Sequence, residues 1–135
     1  MARSKLLHFP LSIIQLFVAV GALPAGLLFI IDPTGGVVKM PLTLLADSPF
    51  SNFLIPGVLL FLLLGVGNAI GTVGAFKRRR WAGWLAILLG GALIVWIIAQ
   101  VYWLGFISFL QPLMLSAGTF ELLLGVAFIR QNGLR

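Results

Sequence analysis

The chain has 135 residues, 61% hydrophobic and only 9% charged, with 9 Lys and Arg against 3 Asp and Glu and a formal charge of +6. Soluble domains carry about a quarter charged residues, so this composition excludes a water-soluble globule, and the wealth of Leu, Ile, Phe and Trp excludes a disordered chain. The absence of Cys removes disulfides and thiolate chemistry, and the lone His8 cannot form a histidine metal cluster; neither a metal nor a cofactor is expected.

The charge-free stretches divide the chain. Phe9 to Ile31 gives 23 residues without a charge, Ser48 to Phe76 gives 29, and Trp81 to Phe120 gives 40, followed by Glu121 and a further apolar run to Ile129. A spanning helix needs about 20 apolar residues, so the last stretch holds two. Gly105, Ser108, Gln111 and Pro112 put the break between Trp103 and Pro112. The sequence therefore predicts a single all-α domain over 1–135, a polytopic bundle of four transmembrane helices at about 9–31, 53–76, 82–103 and 109–130. Arg3 and Lys5 resemble the start of a signal peptide. The apolar run behind them exceeds the usual length of about 7–15 residues, and Pro24 spoils Ala22-Leu23-Pro24-Ala25 as a cleavage site, so a retained helix is expected.

The basic residues assign the orientation. Arg3 and Lys5 precede the first helix, Lys77-Arg78-Arg79-Arg80 joins the second and third, and Arg130 and Arg135 follow the fourth. Only Lys39 falls on the other side, with Asp32 and Asp47. The positive-inside rule then predicts cytoplasmic termini and an external segment 32–52. A four-residue hairpin between membrane helices offers no surface to read nucleic acid, so Lys77–Arg80 reports topology and anionic-lipid contact.

The external segment reads as one ordered loop. Asp32-Pro33-Thr34-Gly35-Gly36 carries turn chemistry, and Met40 to Ala46 is apolar enough to lie in the interface as a short helix. Ser48-Pro49 suits an N-cap followed by a first-turn proline, and Pro56-Gly57 predicts a bend near the start of the second helix.

The order Asp32-Pro33-Thr34-Gly35, Ser48-Pro49-Phe50 with Phe53-Leu54-Ile55-Pro56-Gly57, Trp96 followed by Gln100, and Ser108-Phe109-Leu110-Gln111-Pro112 resembles a widespread family of small uncharacterised four-span bacterial integral membrane proteins. The resemblance covers roughly residues 20–125. It implies the four-span fold and a bacterial inner-membrane location, and it carries no activity with it.

Polar residues within the spans are the candidate functional groups. Counted at 1.5 Å per residue from the basic end, Glu121, Asn68 and Gln15 lie roughly 13–15 Å deep, which predicts one intramembrane polar layer. Gly90 and Gly91 of the third helix fall at the same depth. Gly118, Glu121 and Gly125 share a stripe, as do Gln15, Ala19, Ala22 and Gly26, and small residues mark helix–helix contacts in lipid. A carboxyl within a span faces the bundle interior and is by default a functional candidate. Two readings stay open: a neutral structural carboxyl hydrogen-bonded to Asn68 or Gln15, and a proton or cation site. Near the other face, Asp32, Trp96, Gln100 and Gln111 are candidates for an outer pocket beneath the loop, with Tyr102 and Trp103 beside them. The competing account makes Tyr102, Trp103, Trp81 and Trp84 interfacial belts and leaves Gln100 and Gln111 to satisfy loop carbonyls.

No catalytic constellation is legible: there are no paired carboxylates, no phosphate-binding loop and no nucleophile elbow. The chain reads as a non-enzymatic accessory or scaffold subunit, or a lipid-binding partner, of a larger membrane assembly. The alternative is the protomer of a small oligomeric transporter or channel using Glu121. Membrane lipids and a membrane-protein partner or second copy are the expected contacts, with no nucleic acid.

Overall fold

The computed structural model describes residues 2–36, 46, 48–106 and 109–131. Among them all regular structure is helical. Four helices are long and apolar enough to cross a membrane: α1 (Ala2–Ile31), α2 (Leu54–Phe76), α3 (Arg80–Leu104) and α4 (Leu110–Gln131). They form a four-helix bundle, the architecture of a multi-pass membrane protein. The expected boundaries recur within two residues except at α1, which begins at Ala2 instead of near residue 9. Backbone hydrogen bonding continues past the last apolar residue, so charge marks where a span ends and not where a helix ends.

Consecutive helices run antiparallel, which gathers the basic residues. Arg78, in the α2–α3 hairpin, reaches His8 near the start of α1. Gly83, in the first turn of α3, meets Phe128 and Ile129, beside Arg130 at the end of α4. The opposite end carries the Asp32 turn and the α3–α4 turn. There, Gly105 leaves α3 at φ 78°, a left-handed conformation that suits glycine.

Lipid supplies no hydrophobic drive between helices, so their association depends on close packing of small residues. The α3–α4 contact follows this rule. A Cβ built on Gly90 would stand 2.7 Å from both the Gly118 carbonyl and the Leu122 nitrogen. Gly91, expected to act with it, meets nothing within 4 Å and faces away. The α1–α2 contact is as tight: a Cβ on Gly26 would stand 2.6 Å from the Phe61 nitrogen.

Two local expectations are corrected. The α2 span is not one continuous α-helix, and its irregular stretch lies beyond Pro56-Gly57. It is α-helical over Leu54–Leu59, π-helical over Leu60–Val66 and α-helical again over Gly67–Phe76. Pro56 sits in the first turn, where its missing N–H costs nothing. The irregularity comes one turn later, alongside the backbone contact at Gly26. Nor does Ser48 cap α2. Its hydroxyl accepts from the Phe50 amide within a bend, while Asn52 Oδ1 accepts from the Leu54 amide at 2.9 Å, at the true start of the helix.

The core has two apolar clusters. Val18, Ala22, Leu64, Leu93, Ile97 and Ala117 form the one toward the loop end, and Leu11, Ala75, Ala82, Ala86 and Phe128 the one toward the basic end. Outward-facing Ile13, Val20, Ile70, Leu88, Val95, Ile98 and Leu123 are exposed, which suits a lipid-facing surface.

Candidate functional site

Between the two clusters, at the levels skipped by both, lie Gln15 of α1, Asn68 of α2 and Glu121 of α4. All three are 0% exposed. Each takes its inward direction from its helix: Gln15 lies between Leu11 and Val18, Asn68 between Leu64 and Ala75, and Glu121 between Ala117 and Phe128, all core positions. Room for Gln15 comes from Gly71, one turn beyond Asn68. A Cβ at Gly71 would lie 2.5 Å from Gln15 Nε2.

The layer is poorly satisfied. Gln15 faces the Glu121 carboxyl, yet both oxygens of Glu121, both amide atoms of Gln15 and Asn68 Oδ1 lack a hydrogen-bond partner. Glu121 meets Gln15, one of the two partners expected of it, without a bond of full geometry, and Asn68 turns elsewhere. Asn68 Nδ2 donates to the Leu64 carbonyl at 2.7 Å, in its own helix. A side-chain amide finds its own preceding turn without any cost in helix approach. Buried polar groups in folded proteins are nearly always paired, so five unpaired atoms at one level set this layer apart from the rest of the core. Neither cavity described below is lined by any of the three residues.

A second site lies at the loop end. A cavity of about 90 Å³ is walled by Phe29, Phe50, Phe53, Trp96 and Trp103, with Gln100 and Ser48 as its polar members. Phe29 stacks on Phe53 at 4.8 Å between ring centroids, and Phe50 meets Trp103 edge-on at 6.4 Å. Trp96 and Gln100 therefore line the cavity, one turn apart on α3.

Asp32 and Gln111 do not line it, and each has a local reason. Asp32 Oδ1 accepts from the amide and hydroxyl of Thr34, closing a turn upon itself. The Pro33 carbonyl beside it accepts from the Phe53 amide at 2.8 Å, tying the end of α1 to the start of α2. Gln111 stands behind Gln100, donating to Gln100 Oε1 and to the Gly105 carbonyl, each at 3.2 Å. It holds the α3–α4 turn. Tyr102 points outward, 81% exposed. The interfacial segment from Met40, together with Lys39, Asp47 and Ser108, lies outside the described residues.

The aromatic lining from Phe29, Phe50 and Phe53 was not foreseen from sequence. Its signal was present: three phenylalanines flank the two ends of a loop whose turn chemistry brings those ends together. His8 has no partner predicted from the sequence, which says only that it cannot form a metal cluster. It is buried, packs on Phe9 and Phe76, and accepts from Arg78 Nε at 3.4 Å. Only tertiary structure puts residue 8 against residue 78. Compared with protein-family models, with curated proteins and with solved structures, the chain matches none.

Proposed function

We propose that this protein is an accessory or scaffold subunit, in contact with lipid, of a larger assembly in a bacterial inner membrane, with its termini and Lys77–Arg80 in the cytoplasm. The sealed polar layer carries the reading. Gln15, Asn68 and Glu121 are wholly buried between two apolar clusters, and they line neither the loop-end cavity nor the groove between α1 and α2. A protomer that moved a solute would need a wet path past its polar groups, and the close contact at Gly90 and Gly118 leaves none between α3 and α4. What remains for interaction is the exterior: long apolar faces and one basic end.

One observation favours a second reading. Glu121 keeps two unpaired oxygens within the span, and intramembrane carboxyls mark proton and ion pathways. In that reading the chain is the protomer of an oligomeric transporter or channel. Purification in mild detergent with native mass measurement, together with proton and cation flux into proteoliposomes, separates the two. The accessory reading expects a stoichiometric complex with a different membrane protein and no flux from the purified chain. A homo-oligomer with flux abolished by Glu121→Gln overturns it.

A further inference from the structure

The basic end carries a feature that topology alone does not require. The chain leaves α2 through a turn in which the Arg79 amide donates to the Gly74 carbonyl at 2.8 Å and the Arg78 amide to the Ala75 carbonyl at 3.0 Å. This is the hydrogen-bond pattern of a Schellman motif, whose left-handed residue is usually glycine. Here that residue is Arg78, at φ 59°, the one non-glycine with positive φ among the described residues. An arginine at such a position keeps a side chain where glycine would relieve the backbone.

That side chain is positioned. Arg78 Nε donates to His8 Nδ1 at 3.4 Å, and His8 is itself buried against Phe9 and Phe76. Arg78 itself is exposed, and Lys77, Arg79 and Arg80 are exposed beside it. No acid among the described residues is near. Asp32 belongs to the other end of the bundle, and Glu121 is in the core.

Directly inside this cluster, between α1 and α2, runs an open groove of about 360 Å³ lined by Phe9, Ile13, Leu16, Val73 and Phe76, with Ser12 and Thr72. Both hydroxyls are turned onto helix carbonyls, Ser12 onto Phe9 at 3.0 Å and Thr72 onto Asn68 at 2.8 Å. They place no polar demand on an occupant. From Phe9 to Leu16 the groove extends roughly 10 Å at the helical rise, most of the roughly 15 Å depth of one hydrocarbon leaflet.

We propose that this groove and Arg78 together form a binding site for an anionic phospholipid of the leaflet at the basic end. Its acyl chain lies along Phe9, Ile13, Leu16, Val73 and Phe76, and its phosphate sits on the Arg78 guanidinium with Lys77 adjacent. Charge selects this occupant. Among the described residues a second copy of the chain in the same orientation brings no acidic side chain to that end, whereas an anionic lipid supplies both the missing charge and the chain that fills an apolar slot. The inference rests on the lipid contact in the function proposed above and assigns it to one place.

The test uses the full chain in vesicles of equimolar phosphatidylcholine and phosphatidylglycerol, extracted in mild detergent, with retained lipid counted by native mass spectrometry. The native protein is expected to retain phosphatidylglycerol in preference. Arg78→Gly, which favours the turn and removes the cation, should lower that retention about fivefold. Val73→Trp, which fills the groove, should lower it as well. Arg130→Gln removes a cation from the same end away from the groove and should leave retention unchanged. Equal losses for Arg78→Gly and Arg130→Gln would mean diffuse attraction and overturn the site, as would full retention by Val73→Trp. A native protein with no preference for the anionic lipid overturns the inference while leaving the accessory reading to its own copurification test.

Discussion

Glu121 is buried between two apolar clusters and faces Gln15 without a bond of full geometry, and that fixes what its replacement should do. Paired polar groups in membrane helices contribute about 0.6–2 kcal/mol. An unpaired carboxyl contributes no such bond, so Glu121→Met, of similar length and apolar, is expected to leave stability within about 1 kcal/mol of native or to raise it. Thermal or detergent unfolding midpoints measure this, and a loss beyond about 2 kcal/mol would reveal a polar contact formed in the membrane. Gln15 is tied to Gly71 in a similarly direct way. A Cβ at Gly71 falls 2.5 Å from Gln15 Nε2, so Gly71→Ala should cost about 1–3 kcal/mol by overpacking. Truncation of the same amide in Gln15→Ala/Gly71→Ala should recover most of that, a coupling that a double-mutant cycle measures.

Among the elements, the α3–α4 pair depends on backbone approach. Gly90 and Gly91 are neighbours in sequence and equal in propensity, so a substitution at each separates packing from helix formation. Gly90→Ala drives a methyl group into the Gly118 carbonyl and the Leu122 nitrogen, while Gly91→Ala meets nothing within 4 Å. The first should destabilise the protein by about 1–3 kcal/mol, and the second should be neutral or slightly stabilising, since alanine favours a helix over glycine by about 1 kcal/mol. Equal effects in an unfolding assay would refute the close contact. The π-helical stretch in α2 is of the same kind. Its residues, Leu60 to Val66, are helix-compatible throughout and carry no marker of a wide turn. It arises where two backbones meet.

For the whole molecule, one end gathers Arg78, Arg79, Arg80 and Arg130 while the other carries the Asp32 turn. The positive-inside rule predicts that such a bundle has its basic end in the cytoplasm. Because the chain has no Cys, single replacements report sidedness cleanly. Thr34→Cys should react with an impermeant maleimide in intact cells, and Arg79→Cys should react only after permeabilisation. Reaction of Arg79→Cys in sealed cells, with none at Thr34→Cys, would invert the topology.

The sequence by itself determined the number of helices, their approximate ends and their antiparallel order. Length of apolar run and placement of charge are both one-dimensional quantities, and a bilayer of fixed thickness converts them directly into spans. It also predicts a shared depth for Gln15, Asn68 and Glu121, since rise per residue is constant along a helix. Tertiary structure decided what those residues do with their polar atoms, because pairing turns on sub-ångström separations between helices that no periodicity encodes. It likewise chose Gly90 over Gly91 and folded Asp32 back on its own turn. It set Gln111 behind Gln100 instead of into the cavity, and brought His8 to Arg78. Each of these depends on how helices rotate and approach, and in lipid the contacts that set rotation and approach are short-range packing between small residues.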